Sequence, residues 1–169
     1  MCQQVIKRSL KVLIAWLTIY LCSCRTKSEP ELFLIPSNYE GVVIVLFNQL
    51  NGEQEKYLDN RRLFDIPQNG VLATRFTKTK HGELNQRFYY KDNNGNKNTE
   101  LIPYAFGKAD EQKNYIMNGV YGEFASKLDS IDTSIYRVQY RMFTIGKIKD
   151  KDSLQTLSDS FLRKLIQSY

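Results

Sequence analysis

The chain contains little cysteine and almost no histidine, and these absences exclude several classes of protein. Its three cysteines all lie within the first 24 residues, and its one histidine is His81. Zinc ribbons, cysteine nucleophiles and histidine-rich metal sites need more of these residues than the remaining chain provides. The sequence also lacks a Gly-x-Ser-x-Gly elbow, a His-Glu-x-x-His motif and a phosphate-binding loop. The motifs therefore assign no catalytic, cofactor-binding or metal-binding residue.

A long apolar run is also missing. The most apolar stretch, residues 12–21, has ten residues and follows the cations Lys7, Arg8 and Lys11. A helix that crosses a bilayer needs about 20 apolar residues, so this pattern predicts a secretory signal peptide over residues 1–23. Removing that segment lowers the formal net charge from +6 to +3. This modest charge argues against a nucleic-acid partner.

The signal segment ends in Leu21, Cys22, Ser23 and Cys24, which resembles the lipobox of bacterial lipoproteins. Cys24 is the predicted lipidation site because two small residues precede it, whereas bulky residues precede Cys22. The resemblance implies acyl chains such as palmitate on Cys24, and two or more chains anchor a protein stably. The resemblance therefore predicts that the protein binds a membrane through its lipid anchor. The expected location is the cell envelope of a diderm bacterium, at the outer membrane. An uncleaved membrane helix or an ordinary secretory signal are the alternatives.

Residues 24–31 are polar and include Pro30, which predicts an extended tether after the lipidated cysteine. At about 3.5 Å per residue, its last seven residues reach about 25 Å. Glu29 and Glu31 are interpreted as solvated linker charges, or alternatively as an export signal. The globular domain is predicted over residues 32–169.

The body of the chain shows short apolar or alternating runs between turn residues, which is typical of a mainly β domain. The predicted strands are residues 32–35, 42–47, 62–66, 71–77, 84–91, 99–104 and 135–145. Residues 104–134 show no clean period and are expected to form an irregular insert, with part of 105–116 helical. The fold class is therefore a single β-sandwich-like domain with an irregular insert and a C-terminal amphipathic α-helix.

That helix is expected at about residues 152–168, with Asp152 as its N-terminal cap. Leu154, Leu157, Phe161 and Leu165 recur at helical spacing. Residues 42–47 are apolar on both faces, so one face needs a cover that a second sheet does not supply. The helix is predicted to cover it, and docking of the helix on a membrane or a partner is the alternative.

Other polar clusters have simpler explanations than a site. His81 lies at a predicted hairpin tip. Asp92, Asn94 and Asn96 resemble a calcium loop, but Lys97 stands where that loop needs glycine, so a hairpin turn is preferred. Carboxylates occur in near pairs, but general acid–base chemistry needs them to converge in a cleft. These pairs are Glu53 with Glu55, Asp110 with Glu111, and Asp129 with Asp132.

Two motifs carry a resemblance to a family. The first motif is Pro-x-x-Tyr-x-Gly, formed by Pro36, Tyr39 and Gly41. The second motif is Ile-Pro-x-x-Gly over residues 66–70. Both resemble a family of uncharacterised bacterial lipoproteins, in which each motif leads into an apolar strand. The resemblance implies a domain of unknown function and adds no activity.

These observations predict a lipid-anchored, non-catalytic domain that binds or scaffolds an envelope protein or a glycan. The alternative is an envelope glycan hydrolase that uses carboxylates of residues 104–134.

Overall fold

The computed structural model describes residues 28–79, 85–105, 109–127 and 135–168. Within these ranges lie nine strands, one short 3₁₀ helix and one α-helix. The elements follow the chain as β1 (Glu31–Ile35), β2 (Gly41–Leu46), β3 (Tyr57–Leu58), β4 (Arg61–Asp65), β5 (Val71–Ala73), β6 (Gln86–Lys91), β7 (Lys97–Pro103), β8 (Tyr115–Lys127), β9 (Ile135–Gly146), the 3₁₀ helix (Ile148–Asp150) and α1 (Lys151–Ser168). The predicted mainly β class with a C-terminal helix is confirmed.

The strands form one mixed sheet in the order β3-β4-β1-β6-β7-β8-β9-β2-β5. β1 runs parallel to β4 and β6, whereas β8, β9 and β2 pair antiparallel. Rings from distant parts of this order touch: Phe33 of β1 meets Phe143 of β9 with ring centres 5.6 Å apart. Phe64 of β4 meets Phe47, which follows β2, at 6.1 Å. The sheet therefore folds back on itself, and its two halves enclose the main core as in a sandwich.

β2 is buried on both faces, as its apolar sequence predicted. Val43 and Val45 face the core between the two halves of the sheet. Val42, Ile44 and Leu46 face the other way, into a second cluster against which the helix residues Phe161, Leu162 and Leu165 pack. The prediction that the C-terminal helix covers this face is confirmed.

The predicted stripe of the helix is correct except at one residue. Leu154 is buried, and Phe161 and Leu165 pack against the second cluster, but Leu157 is 47% exposed and Ser158 is buried instead. Ser158 fits because it is small and because its hydroxyl donates a hydrogen bond to the Gln155 carbonyl at 2.7 Å. Asp152 is not the cap, since the helix already begins at Lys151.

The expectation for residues 104–134 is wrong over most of the described part. Tyr115–Lys127 form the 13-residue strand β8, which pairs with β9. The pairing shifts register between Met117 and Val120. This bulge breaks the period-2 alternation, which is why the sequence pattern does not indicate a strand. The predicted partial helix over 105–116 is also not observed among its described residues.

The folded domain begins earlier than predicted. Glu31 is the first residue of β1 and is 1% exposed, and Ser28 is also buried. Glu29 pairs with Arg62. Residues 28–31, predicted as part of a solvated tether, therefore belong to the domain.

The two sequence motifs meet in space at Tyr39 and Gly70. The Tyr39 hydroxyl donates a hydrogen bond to the Val42 carbonyl at 2.6 Å. Gly70 has a φ of +76°, and a Cβ there would lie 2.1 Å from the Tyr39 hydroxyl oxygen and 2.3 Å from the Val42 oxygen. A side chain at residue 70 would therefore displace the tyrosine or the start of β2.

We expect Gly70→Ala to lower the free energy of unfolding by about 3 kcal/mol or more, because overpacking adds to left-handed backbone strain. Gly95→Ala is the matched control, since Gly95 has a φ of +81° and no atom within 4 Å of its added Cβ. It should lose only about 1 kcal/mol. Urea unfolding of both variants measures the difference, and equal losses would contradict the crowding.

Candidate functional site

The most unusual feature of the interior is an ion pair between Glu31 of β1 and Arg141 of β9. Arg141 Nη1 lies 3.2 Å from Glu31 Oε2, and the two side chains are 6% and 1% exposed. Successive side chains of β9 point to opposite faces of the sheet. Val138, Tyr140 and Met142 face the cluster beneath α1, so Arg141 shares the opposite face, toward the main core, with Phe143. A charge pair removed from water must satisfy its remaining hydrogen-bonding groups inside the protein.

Four aromatic rings surround the guanidinium of Arg141. Its central carbon lies 4.8–5.4 Å from the ring centres of Phe33, Phe88, Tyr121 and Phe143. Such cation–π contacts suit arginine, whose planar group is weakly hydrated. Burial lowers the pKa of Arg141, while Tyr121 and Glu31 act to raise it. The guanidinium still carries its charge, because arginine does not lose its proton in proteins.

Neutral side chains complete the network around the carboxylate. Glu31 Oε1 accepts a hydrogen bond from the Thr79 hydroxyl at 2.5 Å, and Oε2 accepts one from Gln86 Nε2 at 2.5 Å. The Tyr121 hydroxyl accepts hydrogen bonds from Gln86 Nε2 at 3.1 Å and from Arg141 Nη1 at 3.2 Å. Burial raises the pKa of Tyr121, so this hydroxyl stays neutral. Both oxygens of Glu31 are thus engaged.

A cavity of about 290 Å³ opens beside this network. It lies between β6 and β8, where β7 ends, because β7 pairs with β8 only through Ile102 and Pro103. Its apolar wall includes Phe88, Ile116 and Met117. Its polar lining includes Gln86, Asn118, Arg141 and Lys151.

The β8 bulge shapes one side of the cavity. Asn118 has a φ of +54°, an uncommon conformation for a residue other than glycine. Its amide nitrogen donates to the Thr144 hydroxyl at 3.4 Å. Bulges occur often beside binding sites, where they redirect side chains. Here the bulge brings Asn118 and Gly119 to the cavity instead of continuing the regular alternation.

The described carboxylates of the near pairs lie on the surface and not in the cavity. Asp110 accepts a hydrogen bond from the Gln112 backbone N–H at 3.0 Å, and Glu123 pairs with Arg137 at 2.5 Å on an exposed cross-strand position. Glu53 pairs with Lys56, and Glu111 is exposed. None of these carboxylates lines the cavity. Asp129, Asp132, His81 and Cys24 lie outside the described residues.

The calcium-like segment is a turn between β6 and β7. The Asp92 carboxylate accepts hydrogen bonds from the backbone N–H groups of Asn94 and Asn96, each at 2.8 Å. The hydrogen bond from the Asn96 backbone is the largest cause of the lowered pKa of Asp92. The preferred hairpin interpretation is therefore confirmed. Within the described ranges, no group of three His, Cys, Asp or Glu residues is placed to hold a metal ion.

The sequence patterns did not single out Glu31 or Arg141 as a pair. The sequence holds only a weak indication that these two charges are buried. Arg141 stands on the same face of its strand as the apolar residues Phe143 and Ile145, and Glu31 directly precedes an apolar strand. Neither charge reveals a partner 110 residues away in sequence.

A family model described as a family of unknown function, DUF6843, matches residues 27–149. The chain belongs to this family. The match covers the nine described strands and ends before the α-helix. No curated protein matches the chain with significance.

One solved structure resembles this DUF6843 domain in fold. It is a crystal structure of a candidate lipoprotein from Bacillus anthracis, with a TM-score of 0.50 and 17% sequence identity over 71% of each chain. At this identity the likeness concerns the fold alone. No helix in the described part of the chain has the length and hydropathy needed to cross a membrane.

Arg141→Met should lower the free energy of unfolding by about 3–5 kcal/mol, because it leaves the Glu31 carboxylate buried without its cation. The double variant Glu31→Leu/Arg141→Met should recover most of that loss, since no lone charge remains. Arg137→Met is the control on the same strand: its ion pair is exposed and should contribute less than about 1 kcal/mol. Denaturant unfolding that finds Arg141→Met no costlier than Arg137→Met would refute the buried-pair assignment.

Proposed function

We propose that this protein is a lipid-anchored, non-catalytic binding domain of the bacterial cell envelope, with its binding site at the cavity beside Arg141. The observation that carries the binding role is the cavity itself. It combines an apolar wall with a few fixed polar groups, which is the usual composition of a small-molecule site. Scaffolding of another envelope protein is compatible with the same anchor.

The anchor is supported by the sequence and by where the fold begins. The signal pattern ends at Cys24, and Ser28, four residues later, is already buried. Four residues span at most about 14 Å. A lipid on Cys24 would therefore hold the start of β1 close to the bilayer surface. The finer location, the outer membrane of a diderm bacterium, rests on the sequence alone.

A binding role is better supported than hydrolysis of a glycan. The general acid and base of such a hydrolase are two carboxyl groups that face one cleft. The described carboxylates of residues 104–134 are Asp110, Glu111 and Glu123, and all three are exposed and away from the cavity lining. Glu31, the carboxylate nearest to the cavity network, is fully engaged by Arg141, Gln86 and Thr79. No observation favours the hydrolase.

The anchor is tested with labelled palmitate and cell fractionation. Wild-type protein should incorporate the label and follow the membranes, and Cys24→Ser should lose the label. Cys22→Ser is the matched control and should keep it, because Ser is also small at that position. A wild-type protein without label, together with a Cys24→Ser variant that stays in the membrane fraction, would refute lipidation.

The binding site is tested by NMR of methionine methyl groups. The chain has three methionines, of which Met117 lines the cavity and Met142 lies on the opposite face of β9 beneath α1. In the full chain in nonionic detergent, a panel of phenol, indole, benzamide and benzoate should shift the Met117 methyl signal and leave Met142 unchanged. If no fragment shifts Met117, or if both signals move equally, the cavity is not a binding site.

A further inference from the structure

Arg62 ties the first described residues to the end of the domain at which β1 and β4 begin. Its backbone N–H donates to the Pro30 carbonyl at 2.9 Å, and its guanidinium pairs with Glu29. Its Nη1 donates to the Thr77 carbonyl at 2.7 Å. The start of the folded chain therefore lies against residues 74–77, and we define this surface as the N-terminal end of the domain.

Leu50 is an apolar side chain that faces water at the N-terminal end. It is 88% exposed. Its loop is nevertheless fixed, because the backbone N–H groups of Asn48 and Gln49 donate to carbonyls of residues 74–77, each at 2.9 Å. A single exposed leucine is common, so its neighbours decide whether it belongs to a contact surface.

Two more exposed apolar side chains, Tyr57 and Leu58 of β3, flank the same segment. Tyr57 is 55% exposed and Leu58 is 37% exposed. They pair in register with Arg62 and Arg61, the first residues of β4. The Tyr57 ring also contacts the Phe76 ring, with centres 5.5 Å apart. Three of the seven large apolar side chains that are exposed in the described ranges therefore gather at the N-terminal end.

The charges at this end favour an anionic surface. Its carboxylates are mostly neutralised, since Glu29, Glu53 and Asp59 each pair with a cation. Within the described chain, the groups here without an ionic partner are one carboxylate, Glu55, and three cations, which are Arg61, Arg75 and Lys78. A surface that carries negative charge would attract this set.

The length of the tether selects the bilayer as the occupant of this surface. Ser28 follows Cys24 by four residues, which span at most about 14 Å. A folded domain of about 100 residues has a radius of gyration of about 13 Å. A partner domain therefore does not fit between a lipidated Cys24 and the N-terminal end, whereas the membrane surface itself does.

We propose that the N-terminal end docks on the anionic surface of the bilayer, with its three exposed apolar side chains among the headgroups and its three unpaired cations at lipid phosphates. This inference rests on the proposed lipid anchor, which brings this end to the membrane. Buried apolar area and cationic charge strengthen binding to an anionic lipid surface together.

The reactivity of a single cysteine tests the docking. With Cys24 lipidated and the signal segment removed, an introduced cysteine is the one free thiol. Asn51→Cys places it beside Leu50. Asn94→Cys is the matched control, because Asn94 is also exposed and lies in the turn after β6, whose first residue pairs with Glu31. The lipidated protein is reconstituted in vesicles of phosphatidylcholine with about 30% phosphatidylglycerol, and its reaction with a neutral polyethylene-glycol maleimide is timed.

The thiol of Asn51→Cys should react at least about tenfold more slowly than that of Asn94→Cys, because the docked end excludes the reagent. The difference should shrink in vesicles of phosphatidylcholine alone, since the cations lose their anionic partner. Equal protection in both lipids would contradict the role of the cations.

A second substitution locates the apolar contact. Leu50→Gln, added to Asn51→Cys, should speed the reaction about fivefold, since a glutamine does not insert among the headgroups. Leu157→Gln is the matched control and should leave the rate unchanged. Leu157 is an exposed leucine one turn after Leu154, which packs at Gly146, the last residue of β9.

Flotation of the vesicles separates the docking from the anchor. Protein that does not float with the vesicles lacks the anchor, and both proposals fall. Protein that floats while Asn51→Cys and Asn94→Cys react at equal rates keeps the anchor and overturns the docking. Protection of Asn51→Cys in intact cells but not in vesicles would indicate that another envelope protein covers this end, and would also overturn the bilayer as its occupant.

Discussion

The buried pair of Glu31 and Arg141 is the interaction on which the rest of the interior depends. It joins the first residue of β1 to the middle of β9, 110 residues later in sequence, across the two halves of the folded sheet. Apolar residues of similar volume could stabilise these positions as well or better, because desolvation of two charges is expensive. We infer that the pair specifies the register of β9, because a shift by one residue would turn Arg141 to the other face and leave the buried Glu31 carboxylate without its cation. The pair thereby fixes the guanidinium of Arg141 in the lining of the cavity.

The cavity follows from how the sheet is closed. β7 connects the two halves, but it pairs with β8 through only two residues. Beyond Pro103 the strands β6 and β8 are left without an intervening strand, and the Asn118–Gly119 bulge occupies one side of the opening. The short β7, the bulge and the charged residue thus form one arrangement rather than three separate irregularities.

The sequence pattern predicted the features of the fold that depend on residues close together in the chain. The double-sided apolar run in β2 indicated both a strand and the need for a cover, and α1 supplies that cover. The stripe of α1 was misplaced at Leu157 because hydrophobicity alone does not indicate that a small polar residue, Ser158, takes a buried position on the helix. β8 escaped prediction because its bulge and glycines interrupt the alternation. Glu31 and Arg141 escaped it because burial of a charge is decided by a distant partner, which no window of the sequence contains.

Glu31 connects the proposed lipid anchor to the proposed binding site. Glu31 is three residues from Ser28, where the described chain begins, and it is also the direct partner of Arg141. With a lipid on Cys24, the strand that carries this carboxylate would be the strand attached to the membrane. Gln86, which lines the cavity, pairs in register with Glu31 on the neighbouring strand β6. The proposed site would therefore lie at the end of the domain nearest the bilayer.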